Sequence, residues 1–249
     1  MKNTKFSNSY LADEGINCAV CHVRGGKIYG HRMNINLSHE VVVAKNLSSP
    51  EYCAGCHEFH FPITKNGNFR FSEEVMQGTY SEWKNSGQKK TCIQCHWKDH
   101  ELNGPHTPEF LKKMISDIQV EFIDSSLLRI SFSILRKRAH NFPSGDLFRS
   151  LVLEVSGDPN FKNMIFSRKF ARFFGMGKAD TDSIWNRTLV SNSTIPFNQD
   201  EISTTIDIPP QKILYVRIMY YFHDPELGGE ISVEESKLEL KSTQIIQNK

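Results

Sequence analysis

Six cysteines at positions 18, 21, 53, 56, 92 and 95 form three Cys-x-x-Cys pairs. Each pair is followed at once by a histidine: His22, His57 and His96. This spacing serves one chemistry well. Two sulfurs three positions apart reach the two vinyl groups on one side of a porphyrin as thioethers, and the adjacent imidazole reaches the iron. Ten of the 249 residues are His, so three such matches by composition alone would arise about once in 15,000. The rival chemistries fit less well. A Cys₄ zinc site would use two pairs and leave the third over, and it gives the following histidine no role. A thioredoxin-like motif would occur once, beside a βαβ pattern. The pattern therefore predicts three haem c groups, with Cys18, Cys21, Cys53, Cys56, Cys92 and Cys95 as attachment points and His22, His57 and His96 as proximal ligands.

Three proximal histidines leave seven others: His31, His39, His60, His100, His106, His140 and His223. A bis-histidine haem needs one further imidazole per iron. His39 lies between the first two motifs, and His100 and His106 follow the third. Together with His140 they are four candidates for three sixth positions. His60 lies three residues beyond His57. On a continuing helix it would share a face with His57, so it could serve only another haem. His223 follows an apolar alternation and reads as structural. Met33 and Met76 are alternative ligands that would raise a potential relative to His/His, although a methionine in a haem domain more often packs on a ring.

These residues need elements to hold them. The chain reads as an α+β protein. An N-terminal loop and short-helix multihaem cytochrome c domain, residues 1–116, precedes an antiparallel β-sandwich of Ig-like type, residues 117–249. The first part has weak hydrophobic periodicity and turn signals at Gly25-Gly26, Ser48-Ser49-Pro50 and Asn66-Gly67-Asn68. One helix is predicted from Glu73 to Lys84, capped by Ser72 and ended by Gly87. Another starts at Pro108 with Thr107 as cap. The second part alternates with period two at Leu128, Ile130, Phe132 and Ile134, at Leu151, Leu153 and Val155, and at Leu214, Val216, Ile218, Tyr220 and Phe222. Further strands are expected near 118–123, 163–171, 184–190, 200–207 and 231–245.

A formal net charge of +2 predicts no nucleic-acid partner. Three haems would add about −6 through their propionates, so the loaded protein would be mildly acidic and would suit a basic partner. Arg24, Lys27 and Arg32 are near enough to the first motif to pair propionates, or simply form a solvated face. No apolar run is long enough to cross a bilayer. Met1 to Ser7 are not followed by an apolar signal-peptide core, so the chain as given shows no signal peptide and reads either as a mature or trimmed form or as one whose start is placed too late.

The run Gly15 to Arg24, the run Glu51 to Phe59, and the segment Met76-Gln77-Gly78-Thr79-Tyr80-Ser81-Glu82-Trp83 resemble the haem segments of a large group of multihaem c-type cytochromes. His100 and His106 are similar in placement to two histidines of a Gly-rich segment in that group. Ala139-His140-Asn141-Phe142-Pro143-Ser144-Gly145-Asp146 resembles the Gly-His-x-Phe-Pro-Thr-Gly-Asp segment of its C-terminal sandwich, with Ala139 for Gly and Ser144 for Thr. The resemblance spans roughly residues 10–155. It implies a periplasmic or cell-surface electron carrier. It also implies that His140, at a sandwich edge, either reaches a haem of the first domain or bonds the backbone of its own turn.

Three functions are open on the sequence. The first is electron transfer between redox partner proteins, such as other cytochromes or a reductase. The second is an oxidoreductase with one open haem iron. The third is a subunit or polymer building block that docks another chain through sandwich edge strands.

Overall fold

The computed structural model describes residues 17–31, 39–98, 101–105, 107–135, 138–177, 187–209, 213–222 and 237–246. It is α+β: a few short helices and several antiparallel sheets, including a sandwich-like pair.

The three cysteine motifs each begin a short helix. Helix α1, Cys18–His22, is capped by Asn17, whose Oδ1 accepts from Ala19 N at 3.1 Å. Strand β1, Val23–Arg24, turns through Gly25 and Gly26 into β2, Lys27–Gly30. Both glycines have positive φ, +55° and +72°, as a two-residue hairpin turn demands. Strand β3, Val42–Val43, runs parallel to β2. Helix α2, Pro50–His57, has Pro50 in its first turn, and Ser49 Oγ accepts from Tyr52 N as its cap. It leads into a long hairpin of β4, Glu58–Lys65, and β5, Asn68–Gly78. Helix α3, Thr79–Ser86, follows and ends on Gly87 at φ +66°. Helix α4, Cys92–His96, starts where Gln94 Oε1 accepts from Thr91 N at 2.8 Å. Strands β6, Trp97–Lys98, and β7, Glu101–Leu102, pair after it. Helix α5, Pro108–Lys113, has Thr107 before it and Pro108 at its first position.

The helix expected over Glu73 to Lys84 is corrected in its first half. Residues through Gly78 continue β5, and helix begins only at Thr79. Cross-strand pairing with β4, from Lys65↔Asn68 to Glu58↔Gly78, overrides the local signals. Ser72 does not cap a helix. Its Oγ donates to Glu74 O at 3.2 Å within the strand.

The C-terminal half is built on two sheets. One holds β8, Gln119–Phe122, β9, Leu127–Ser133, and β14, Glu201–Asp207, in the order β14-β9-β8. The other holds β10, Ser150–Ser156, β11, Met164–Phe170, β15, Ile213–Tyr221, and β16, Lys237–Ile246, in the order β11-β10-β15-β16. The expected alternation is what packs. Leu128, Ile130 and Phe132 of β9 meet Leu151, Leu153 and Val155 of β10 and Leu214, Val216, Ile218 and Tyr220 of β15 in one core. Each such side chain contributes about 1.5–3 kcal/mol on burial. Leu111, Met114 and Ile115, in and after α5, join the same core. A separate ribbon of β12, Arg172–Met176, and β13, Arg187–Asn192, leans on the β4–β5 hairpin, where Phe174 meets Phe61 edge-on at 5.1 Å. Buried Arg138 ties the loops below the core: its Nη2 donates to Pro196 O and Gln199 O at 2.6 and 2.7 Å, and its Nη1 to Leu135 O at 3.2 Å.

Candidate functional site

The first and third motifs are built alike. A one-turn helix ends on the histidine, a two-residue strand leaves it, and the chain returns so that the residue seven positions on lies across from the ring. His22 Nδ1 bonds Tyr29 O at 2.7 Å, and His96 Nδ1 bonds Asn103 O at 2.7 Å. A carbonyl can only accept, so Nδ1 carries the proton and Nε2 keeps its lone pair. That is the tautomer a metal-ligating imidazole needs, with its other nitrogen oriented by a hydrogen bond. The second motif differs, because its hairpin is longer. His57 Nδ1 lies 2.9 Å from the Gln77 carboxamide instead of a main-chain carbonyl.

The motifs stand next to one another. Tyr52 of α2 donates its hydroxyl to Cys21 O, and Arg24 Nη2 donates to Tyr52 Oη at 3.1 Å, with the guanidinium over the Tyr52 ring. These bonds join the first motif to the second. The Cys53 and Cys92 thiols are within hydrogen-bonding reach, which joins the second to the third. That contact, with burial, pushes the Cys53 thiol above the ordinary thiol range, and the same contact draws Cys92 down to about 7 against the effect of burial. The arrangement brings a cysteine of the second motif beside one of the third. All six cysteines are free thiols.

His140 meets the third motif from the sandwich side. Its ring lies parallel to that of His96, with 12° between the planes and 6.0 Å between the centroids. Its Nδ1 bonds Asn141 O at 2.9 Å, which leaves Nε2 free. Burial, with His96 and Arg138 nearby, holds its imidazole below the usual histidine range, so it is neutral near pH 7. Phe110 of α5 also packs on His96, with ring centres 5.6 Å apart.

A carboxylate of the first half holds the His140 loop. Glu82 of α3 accepts from Ser144 Oγ at 2.7 Å, Asn141 N at 3.2 Å and Asn141 Nδ2 at 3.4 Å. Burial pushes the Glu82 carboxyl up, while Ser144, Arg172 and the Asn141 N–H act in the opposite sense. Arg172 Nη2 donates to Gly145 O at 2.7 Å and braces the same loop from β12. Burial, the Arg149 guanidinium and His96 together hold His57 below the usual histidine range.

The sequence candidates fall out unevenly. Each of the three motifs places its two cysteines and its histidine on one short helix. Of the four proposed distal histidines, His140 lies against a motif histidine and His39 is exposed at the approach to β3. His100 and His106 lie outside the described residues, as do Met33, Arg32 and His223. His60 is on strand β4 rather than a helix, and its Nδ1 bonds Glu73 O across the hairpin at 3.1 Å. Met76 is partly buried in β5. Arg24, weighed as a propionate partner, bonds Tyr52. Gln77, Glu82, Tyr52 and Arg172 were not singled out by residue type. Nothing local in the segment 76–83 specifies that Gln77 meets His57 or that Glu82 holds the loop carrying His140.

The residues fit haem c on this geometry. Each motif histidine has Nδ1 engaged, each motif pair projects from one helical turn, and the third has a second imidazole facing it. Among the described residues no helix is long and apolar enough to cross a membrane, and no group of three or more His, Cys, Asp or Glu forms a metal-ion cage. No family model matches the sequence, and no curated protein matches it. Among solved structures the fold is similar to that of a penta-heme cytochrome c552 from Thermochromatium tepidum, with a TM-score of 0.60 at 17% identity. The match covers 83% of this chain and 58% of that one.

Proposed function

We propose that this chain is an extracytoplasmic electron-transfer protein that carries three c-type haems and passes electrons between redox partner proteins. Residues 1–116 form the trihaem domain and residues 117–249 the sandwich that braces it. Haem c supplies a one-electron Fe(III)/Fe(II) couple at each motif. The rest is the work of the chain. Cys18 and Cys21, Cys53 and Cys56, and Cys92 and Cys95 anchor the porphyrins. His22, His57 and His96 would each supply one imidazole to an iron. His140 would supply the second imidazole at the third motif, and His39, His100 and His106 are the candidates for the other two.

The observation that carries this reading is the His96–His140 pair. With a metal–imidazole bond of about 2 Å and about 1.1 Å from nitrogen to ring centre, two imidazoles on one metal have centroids about 6 Å apart. The rings stand at 6.0 Å and nearly parallel. Two permanent nitrogen ligands close an iron to small molecules and keep its geometry alike in both oxidation states, which favours transfer over catalysis. The Tyr52–Cys21 bond ties the helix of the second motif to that of the first, and Cys53 lies beside Cys92 of the third, which supports close spacing of the three centres.

Visible spectra of the purified protein, oxidised and dithionite-reduced, with and without carbon monoxide, test the proposal. Low-spin bands, three haems per chain by pyridine haemochrome, and no carbon monoxide shift are expected. A shift in about a third of the haem signal would replace the carrier by an enzyme with one open iron. Absence of haem bands would remove the reading altogether.

A further inference from the structure

We infer that Gln77 is a positioning residue that sets the reduction potential of the second haem separately from the other two, an inference that rests on the haem reading above. The hairpin register supplies the reason. Val23 pairs with Ile28 after the first motif, so the residue opposite His22 is Tyr29, and its carbonyl takes Nδ1. Trp97 pairs with Leu102 after the third, so Asn103 stands opposite His96 and does the same. After the second motif Glu58 pairs with Gly78, which puts Thr79 opposite His57. Thr79 is the first residue of α3, and its carbonyl turns into the helix. The place of the main-chain acceptor is taken by a side chain two positions earlier.

That side chain is well held. Gln77 is 8% exposed. Its amide lies 2.9 Å from His57 Nδ1 and 3.4 Å from Thr79 Oγ1. Gly145, at φ +92°, packs over it so closely that a Cβ there would stand 3.8 Å from the amide nitrogen. When His57 Nε2 binds iron, Nδ1 must carry the proton. The carboxamide then presents its oxygen to His57, and the same oxygen can accept from the Thr79 hydroxyl. Its two ends are near-isosteric, so the turn costs no space. A main-chain carbonyl cannot be changed by substitution, whereas this acceptor can. The strength of the acceptor on Nδ1 controls how much charge the imidazole gives to the metal. Of the three motif histidines only His57 has a side chain as the partner of its Nδ1, so at the second haem this acceptor can be changed by a single substitution.

The test uses the intact holoprotein with Gln77→Glu and Gln77→Leu, two substitutions of similar size. Haem content by mass and pyridine haemochrome comes first. A wild-type protein without three haems would sink the reading beneath this one. Spectroelectrochemistry then resolves the three potentials. With Gln77→Glu the carboxylate draws the Nδ1 proton more strongly, and one haem becomes about tenfold harder to reduce, 59 mV for a one-electron couple. With Gln77→Leu the acceptor is lost, and the same haem shifts by a similar factor in the opposite direction. Opposite signs at one haem are not what a merely structural residue produces. The inference is overturned if both variants shift that haem the same way, if none or all of the potentials move, or if both variants lose the haem.

Discussion

Glu82→Ala removes a carboxylate that holds the loop carrying His140. Two of its bonds are of ordinary length, Ser144 Oγ at 2.7 Å and Asn141 N at 3.2 Å, and the third, Asn141 Nδ2 at 3.4 Å, is long. Hydrogen bonds to a charged acceptor contribute about 1.5–3 kcal/mol each. Two of them give a gross effect of about 3–6 kcal/mol. Burial raises the Glu82 carboxyl, so desolvation of the carboxylate already offsets part of this, and Arg172 still braces Gly145 from the other side. A net loss of about 1–3 kcal/mol, or 5–150-fold in the ratio of released to seated loop, is expected. On the proposed ligation, carbon monoxide would reach the third iron only while His140 is away, so its apparent affinity would scale with the released fraction. Titration of the reduced protein with carbon monoxide reads this directly, as a shift confined to about a third of the haem signal at concentrations where the wild type shows none. Glu82→Gln keeps the shape and one acceptor oxygen and should give a shift about tenfold smaller or less. If Glu82→Ala resists carbon monoxide as the wild type does, while His140→Ala does not, the loop is seated by something other than this clamp.

Three further outcomes are expected. His140→Ala opens about one third of the haem signal to carbon monoxide at once, and imidazole added to the buffer closes it again. His140→Met keeps the iron six-coordinate and raises one potential of the three, since methionine in place of histidine favours the reduced state; spectroelectrochemistry checks this. Arg138→Met leaves the carbonyls of Leu135, Pro196 and Gln199 without their shared donor. It should cost about 2–4 kcal/mol and lower Tm by roughly 5–15 °C in calorimetry, with haem content unchanged.

The geometry of each motif was legible because it is local. Three residues of a single helical turn suffice to place two sulfurs and an imidazole, and Cys18, Cys21 and His22 and their two repeats each lie on one short helix. The sandwich was legible for a related reason. A strand buried on one face writes its orientation in period two, and the alternations at 128–134, 151–155 and 214–222 became the core that unites β9, β10 and β15. The segment 73–78 was not legible. Its local signals favoured a helix start, and only the partner strand β4, more than ten residues earlier, made it a strand.

Pairing across the chain belongs to the same class. His140 is 44 positions from His96, and nothing in either neighbourhood states that one faces the other. Their parallel rings at 6.0 Å depend on where the sandwich edge sits against α4 and on a loop held by Glu82 of α3. Gln77 stands opposite His57 only because the second hairpin is long and ends in a helix. The sequence by itself determined which cysteines and histidines share one helical turn, since that depends only on spacing along the chain. Tertiary structure decided which imidazoles and acceptors meet them, since those contacts are set by packing between elements that no local pattern encodes.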